Sequence, residues 1–190
     1  EHPEYDKRNA LGSTQLITAL NNIGILPTNH FQKGICDYVD KISGETLAKK
    51  YRVKNKSCFN CNIHCSRYFI TKEAEGEGPE FETLCSYTSR LGNKDLKFAL
   101  KITSYLNRMG VDSLSSGETM GWAMECIQHG LLSKEDFDGL DLRWGNKKAI
   151  EKLLCPSGFL CSGSPIRFLA LLSKNDAARK HEPIPVRPLA

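Results

Sequence analysis

No run of apolar residues in this sequence is long enough to cross a bilayer. The longest, Phe168 to Leu172, falls far short of the roughly 20 residues that a membrane helix needs. The opening, Glu-His-Pro-Glu-Tyr-Asp-Lys-Arg, has no initiator Met, no apolar signal core and no cleavage pattern. It reads as the start of a processed chain, or of one cut from something longer. There is no internal repeat and no strong charge imbalance; a net charge of +4 does not by itself argue for nucleic acid. With 40% apolar and 25% charged residues, disorder is not the default reading, and 190 residues can bury one real core. A further absence is local. No Asp or Glu occurs from Thr46 through Lys72, whereas seven Lys or Arg residues lie between Lys49 and Lys72.

Inside that acid-free interval sits Lys56-Ser-Cys58-Phe-Asn-Cys61-Asn-Ile-His-Cys65, three of the chain's eight cysteines at C-x2-C-x3-C spacing. The others are Cys36, Cys85, Cys126, Cys155 and Cys161. The chain is large for a disulfide-stapled scaffold and shows no secretory signal, so clustered thiols point to metal in a reducing, cytoplasmic compartment. Soft thiolates suit a [4Fe–4S] cluster, with a fourth ligand from elsewhere. Zinc is the rival: Cys58, Cys61, His64 or Cys65 plus one distant ligand would make a tetrahedral site. Spacing alone leaves both open, with a reduced structural set as the third reading. The order differs from the C-x3-C-x2-C of radical S-adenosylmethionine enzymes. The surrounding cations suit a cluster, where they offset thiolate charge and can dock an acidic electron carrier. Interleaved with Tyr51, Phe59, Tyr68 and Phe69, they also suit a single-stranded nucleic acid. A solvated basic face is the plainest account of such a run.

The rest of the chain reads as helical. Residues 1–12 look like a loosely ordered lead-in. Ser13 or Thr14 caps a helix through Leu16, Ile17, Leu20 and Ile23, with Gly24 just past its end. A loop follows from Thr28 to Gly34, then a short helical segment near Asp37–Ile42, then a helix over 44–51 capped by Ser43. Arg67 to Thr71 is rich in strand formers, and 73–78 reads as a flexible turn. Further helices are expected over 80–90, from an Asn93 cap to Gly110, from about Ser116 to Gly130, and from Asn146 to Leu154. Ser133 to Asp136 fits a capping box with Asp in place of the usual Glu.

Two further clusters carry polar chemistry. Glu80 and Glu82 follow Gly78-Pro79 at the start of a helix. Acids there are ordinary macrodipole chemistry, but a buried one would serve as proton donor or acceptor. Asp112-Ser-Leu-Ser-Ser-Gly117 precedes another helix, where hydroxyls and N–H groups either cap it or meet a polar ligand.

Several stretches taken in order resemble the aldehyde ferredoxin oxidoreductases, the tungsten- or molybdenum-pterin enzymes. They are Leu26-Pro-Thr-Asn-His-Phe-Gln, Lys41-Ile-Ser-Gly-Glu-Thr-Leu, Tyr51-Arg-Val-Lys-Asn-Lys-Ser-Cys-Phe-Asn-Cys, Gly78-Pro-Glu-Phe-Glu-Thr and Asn107-Arg-Met-Gly-Val-Asp-Ser. Ala123-Met-Glu-Cys, Gly130-Leu-Leu-Ser-Lys-Glu-Asp and Leu140-Asp-Leu-Arg-Trp-Gly-Asn complete the set, which covers about residues 10–152. Each stretch is weak alone; the ordered set is specific.

The resemblance implies a mainly α fold, a helical domain over 1–154 like the second domain of these enzymes. The Cys-rich metal loop would lie at 56–66 and a divergent Gly/Ser/Pro-containing tail at 155–190. It implies oxidation of an aldehyde to a carboxylic acid at a tungsto- or molybdo-bis-pterin, with electrons leaving through one [4Fe–4S] cluster to ferredoxin. Cys58, Cys61 and Cys65 would then be cluster ligands, and Asp112, with Ser116, would face the pterin. Glu82 or Glu80 would handle a proton near the metal. The domains that supply the fourth cysteine and much of the pterin site are absent from these 190 residues. The isolated chain is therefore expected to be inactive: a fragment or a truncated remnant, partnered by those domains. Membrane is not expected as a partner, and nucleic acid is the disfavoured one.

Overall fold

A computed structural model describes residues 3–154. Tail residues 155–190, with Cys155 and Cys161, lie outside the described residues. The described residues divide into two compact units at the 121/122 boundary.

The first unit opens on a helix, α1 (Pro3–Leu11), where the sequence suggested only a lead-in. Its apolar patterning is weak, and long-range hydrogen bonds supply what local sequence does not. Tyr5 Oη donates to the Asn62 carbonyl (2.6 Å) and Asn9 Nδ2 to that of Ile63 (2.9 Å). Arg52 Nη1 donates to the Ala10 carbonyl at 2.9 Å. A 3-10 turn, Gly12–Thr14, leads into α2 (Gln15–Asn22). Neither Ser13 nor Thr14 caps that helix; both hydroxyls reach across the fold instead, as described below.

Next come α3 (Val39–Ile42) and α4 (Gly44–Lys50). The Ser43 hydroxyl accepts from the Thr46 amide at 3.2 Å, the expected cap. Three antiparallel strands follow in the order β1 (Arg52–Lys56), β2 (Ser66–Ile70) and β3 (Glu75–Glu77). Lys56 pairs with Ser66 and Asn55 with Arg67, so β1 and β2 form a hairpin whose connection is the cysteine loop. β3 replaces the expected flexible turn, because Gly76 pairs with Phe69 and Ser104 Oγ donates to the Glu75 carbonyl at 2.8 Å. Strand alternation buries Arg67 and Phe69 on one face of β2.

The expected 80–90 helix is shorter than the pattern suggested. α5 (Phe81–Tyr87) ends where Thr88 leaves helical geometry, and a separate 3-10 turn spans Ser89–Leu91. α6 (Leu96–Met109) is capped by Asp95, whose carboxylate accepts from the Phe98 amide, and not by Asn93. Asn93 instead holds the turn, accepting from the Asp95 amide. At its end Gly110 is left-handed (φ 64°), its amide bonding Asn107 and that of Val111 bonding Leu106. The core of this unit joins Ile17, Leu26, Ile42, Leu47, Phe69, Phe81, Leu84 and Leu100. α7 (Ser113–Gln128) begins directly after Asp112, three residues earlier than the expected start near Ser116.

In the second unit, Asp136 accepts from the Ser133 amide at 2.8 Å, but only a 3-10 turn, Glu135–Phe137, follows. α8 (Lys147–Leu154) buries Ala149, Ile150, Leu153 and Leu154 along one face. Among the described residues no helix is long and apolar enough to cross a membrane.

Candidate cofactor-facing site

The cysteine loop runs from Ser57 to Cys65 between β1 and β2. Asn60 and His64 both take left-handed φ (55° and 53°), which turns the loop back on itself twice. All three thiols are free; Cys58 is exposed, and Cys61 and Cys65 are half-buried. His64 is exposed, and Phe59 is fully so. As placed, no group of three or more His, Cys, Asp or Glu among the described residues could hold a metal ion. In donor chemistry the loop nevertheless fits a sulfur-ligated metal, with three unpaired thiols on nine residues at the solvent side.

The basic interval divides in two. Arg52 and Arg67 serve backbone carbonyls, and Lys56 lies 3.9 Å from Glu77 and over the Tyr68 ring. Lys49, Lys50, Lys54 and Lys72 are exposed.

Glu80 precedes α5. Its carboxylate accepts from Ser13 Oγ, which in turn accepts from the Phe81 amide at 2.8 Å. Ser13 therefore caps α5 from outside, a role that no local pattern reveals. Arg67 Nη2 stands 3.8 Å from Glu80 Oε2. Burial works against the Arg67 charge, and the Glu80 carboxylate supports it. Glu82, two residues further on, is exposed.

Asp112 caps α7, its Oδ2 accepting from the Ser115 amide at 2.6 Å. Hydrogen bonds from Ser115, side chain first and then amide, hold its carboxyl below the usual value. Ser116 Oγ meets Tyr87 Oη at 2.7 Å, and Thr83 Oγ1 meets Ser113 Oγ at 2.6 Å. These two contacts hold α5, from its first turn (Thr83) to its last residue (Tyr87), against the start of α7. Gly117 lets them approach, because a Cβ there would fall 2.7 Å from Ser86 Cβ. A few residues on, Arg90 pairs with Glu118, which also lies 3.8 Å from His30, and Arg90 stacks 4.9 Å from the Phe31 ring centroid.

Cys65, Glu80 and Asp112, far apart in sequence, are thus joined through Arg67 and through the α5–α7 contact. Sequence reading missed Ser13, Arg67, Thr83 and Tyr87 as members of this site. Arg67 left only the faint signal of a cation beside the strand formers Tyr68 to Ile70, within a run of other cations.

Against known proteins, the family described as aldehyde ferredoxin oxidoreductase, domains 2 and 3, matches residues 1–155. The chain belongs to that family. It is 35% identical over 143 residues to a tungsten-containing aldehyde ferredoxin oxidoreductase of Pyrococcus abyssi, covering 73% of this chain and 24% of that protein. A Pyrococcus furiosus protein of the same description is 34% identical over 154 residues, or 78% of this chain and 26% of its own length. An aliphatic sulfonate oxidoreductase, WOR-like subunit, of Pyrococcus furiosus is 31% identical over 117 residues, which are 61% of this chain and 19% of that protein. The chain therefore spans about a quarter of the length of the aldehyde ferredoxin oxidoreductases it matches. The fold is shared with the active-site complex BamBC of benzoyl coenzyme A reductase. The TM-score is 0.56 and the identity 22%, over 90% of this chain and 23% of that one. Membership makes this an oxidoreductase-family chain with a mainly helical fold.

Proposed function

We propose that this chain is the cluster-bearing, pterin-facing part of an enzyme that oxidises aldehydes to carboxylic acids. When bound, a tungsto- or molybdo-bis-pterin supplies the oxidation, and a [4Fe–4S] cluster passes the electrons to ferredoxin. Cys58, Cys61 and Cys65 would hold the cluster as three thiolate ligands, with the fourth ligand from another domain. Asp112 and Ser116, at the start of α7, would face the pterin, with the hydrogen bonds from Ser115 favouring the ionised form of Asp112. Glu82 suits the proton-handling role better than Glu80. Its carboxylate is exposed, whereas that of Glu80 already accepts from Ser13 and faces Arg67. The exposed lysines around the loop offer an acidic carrier a docking face. In this reading the chain acts in the cytoplasm together with the other domains of such an enzyme, and is inactive without them. The observation that carries it is the contact path from Cys65 through Arg67 to Glu80, and from α5 to Asp112, placed on a chain of this family.

Anaerobic reconstitution of the 190-residue chain with iron and sulfide tests the ligand set. A brown protein with broad visible absorbance, lost in Cys61→Ser, is expected. A colourless protein that holds one tight zinc instead would overturn it and favour the zinc-stabilised binding module.

A further inference from the structure

A buried arginine is costly unless its N–H groups find acceptors. Arg67 is 2% exposed and sits beside Phe69 on the inward face of β2, where an apolar residue would pack without that cost. Its acceptors come from three separate segments. Nη1 donates to the Leu11 carbonyl and to Thr14 Oγ1 (2.7 Å), at the turn before α2. Nη2 donates to the Cys65 carbonyl at 2.5 Å, at the end of the cysteine loop, and lies 3.8 Å from Glu80 Oε2, at the start of α5. The backbone leaves space for this junction. Gly12 is left-handed (φ +59°), and a Cβ there would lie 1.7 Å from Arg67 Nη2 and 2.1 Å from the Cys65 carbonyl oxygen.

We propose that Arg67 is a positioning residue that clamps the Cys65 end of the metal loop to the Glu80 end of α5, with Gly12 making the space. The inference deepens the ligand assignment above, and its functional meaning rests on that reading. One planar fork fixes the carbonyl of the third cysteine and faces the carboxylate on the helix that carries Glu82. The metal loop and the proton-handling helix therefore move as one body. A lysine keeps the charge but cannot reach two segments at once with fixed geometry.

Peptide-resolved hydrogen exchange on the reduced, metal-free 190-residue chain tests the clamp. In Arg67→Met, exchange of loop amides 61–66 and of amides at the start of α5 is expected to rise together by about tenfold, the effect of losing one charge-assisted hydrogen bond. α6 should stay near its wild-type rate. Gly12→Ala keeps the guanidinium and should open the same two segments, separating geometry from charge. Arg67→Lys should fall between wild type and Arg67→Met, and carries the test if the Met variant does not fold. Loop exchange that rises without α5, or α6 opening equally in Arg67→Lys and Gly12→Ala, overturns the proposal. Iron uptake by the wild type is read separately. Its failure would remove the ligand assignment while leaving the clamp as measured.

Discussion

The approach of α5 and α7 at Gly117 can be tested as a coupling between two residues. An Ala at Gly117 gains about 1 kcal/mol of helix propensity. Its Cβ, however, lands 2.7 Å from Ser86 Cβ, and overpacking of this kind costs about 1–3 kcal/mol. Ser86 has no long side chain to swing away, so the clash should win, with a net loss of about 1 kcal/mol. Ser86→Gly alone removes a contact from Arg90 Nη1 (3.4 Å) and weakens α5, costing about 1 kcal/mol. In the double variant the clash is gone, so the pair should cost less than the sum by about 1–3 kcal/mol. Urea midpoints at constant m measure all three. Gly24→Ala is the control: Gly24 has φ +76° and nothing within 4 Å of a built Cβ. It should cost about 1 kcal/mol through backbone strain and add independently of Ser86→Gly. Additivity of Gly117→Ala and Ser86→Gly within about 0.5 kcal/mol would refute the close approach of α7 to the end of α5.

Asp112→Ala should cost about 1 kcal/mol by uncapping α7, and Asp112→Asn much less, in thermal melts at neutral pH. Because the Asp112 carboxyl is held below its ordinary value, its contribution is full above the unfolded-state pKa. It is lost as pH falls through the folded-state value, so wild type should lose more stability on acidification than Asp112→Asn. Cysteine reactivity at pH 8 offers a further check. Burial pushes the Cys126 thiol up to about 11 and raises Cys36 and Cys85 as well. With about one Cys126 in a thousand ionised, iodoacetamide should label exposed Cys58 long before Cys126, Cys36 or Cys85. Equal labelling by peptide mass spectrometry would contradict the burial.

By itself the sequence determined the elements whose signals are local. The Ser43 cap and the α6 stripe ending at Gly110 each depend on residues within a few positions of one another, so they were legible. The cysteine spacing likewise identified the loop, and the ordered stretches identified the family. Tertiary structure decided the rest. α1 is weakly patterned and owes its place to bonds between residues 42 or more apart, such as Arg52 to Ala10 and Tyr5 to Asn62. β3 is a Gly/Glu segment that becomes a strand because β2 offers it a ladder. Ser13 looked like a cap for its own helix but serves one that starts 68 residues later. Arg67 looked like one more cation in a basic run. Burial gave it a different role, because a desolvated guanidinium takes whatever acceptors the fold brings near, and here they lie in three segments that no local pattern relates.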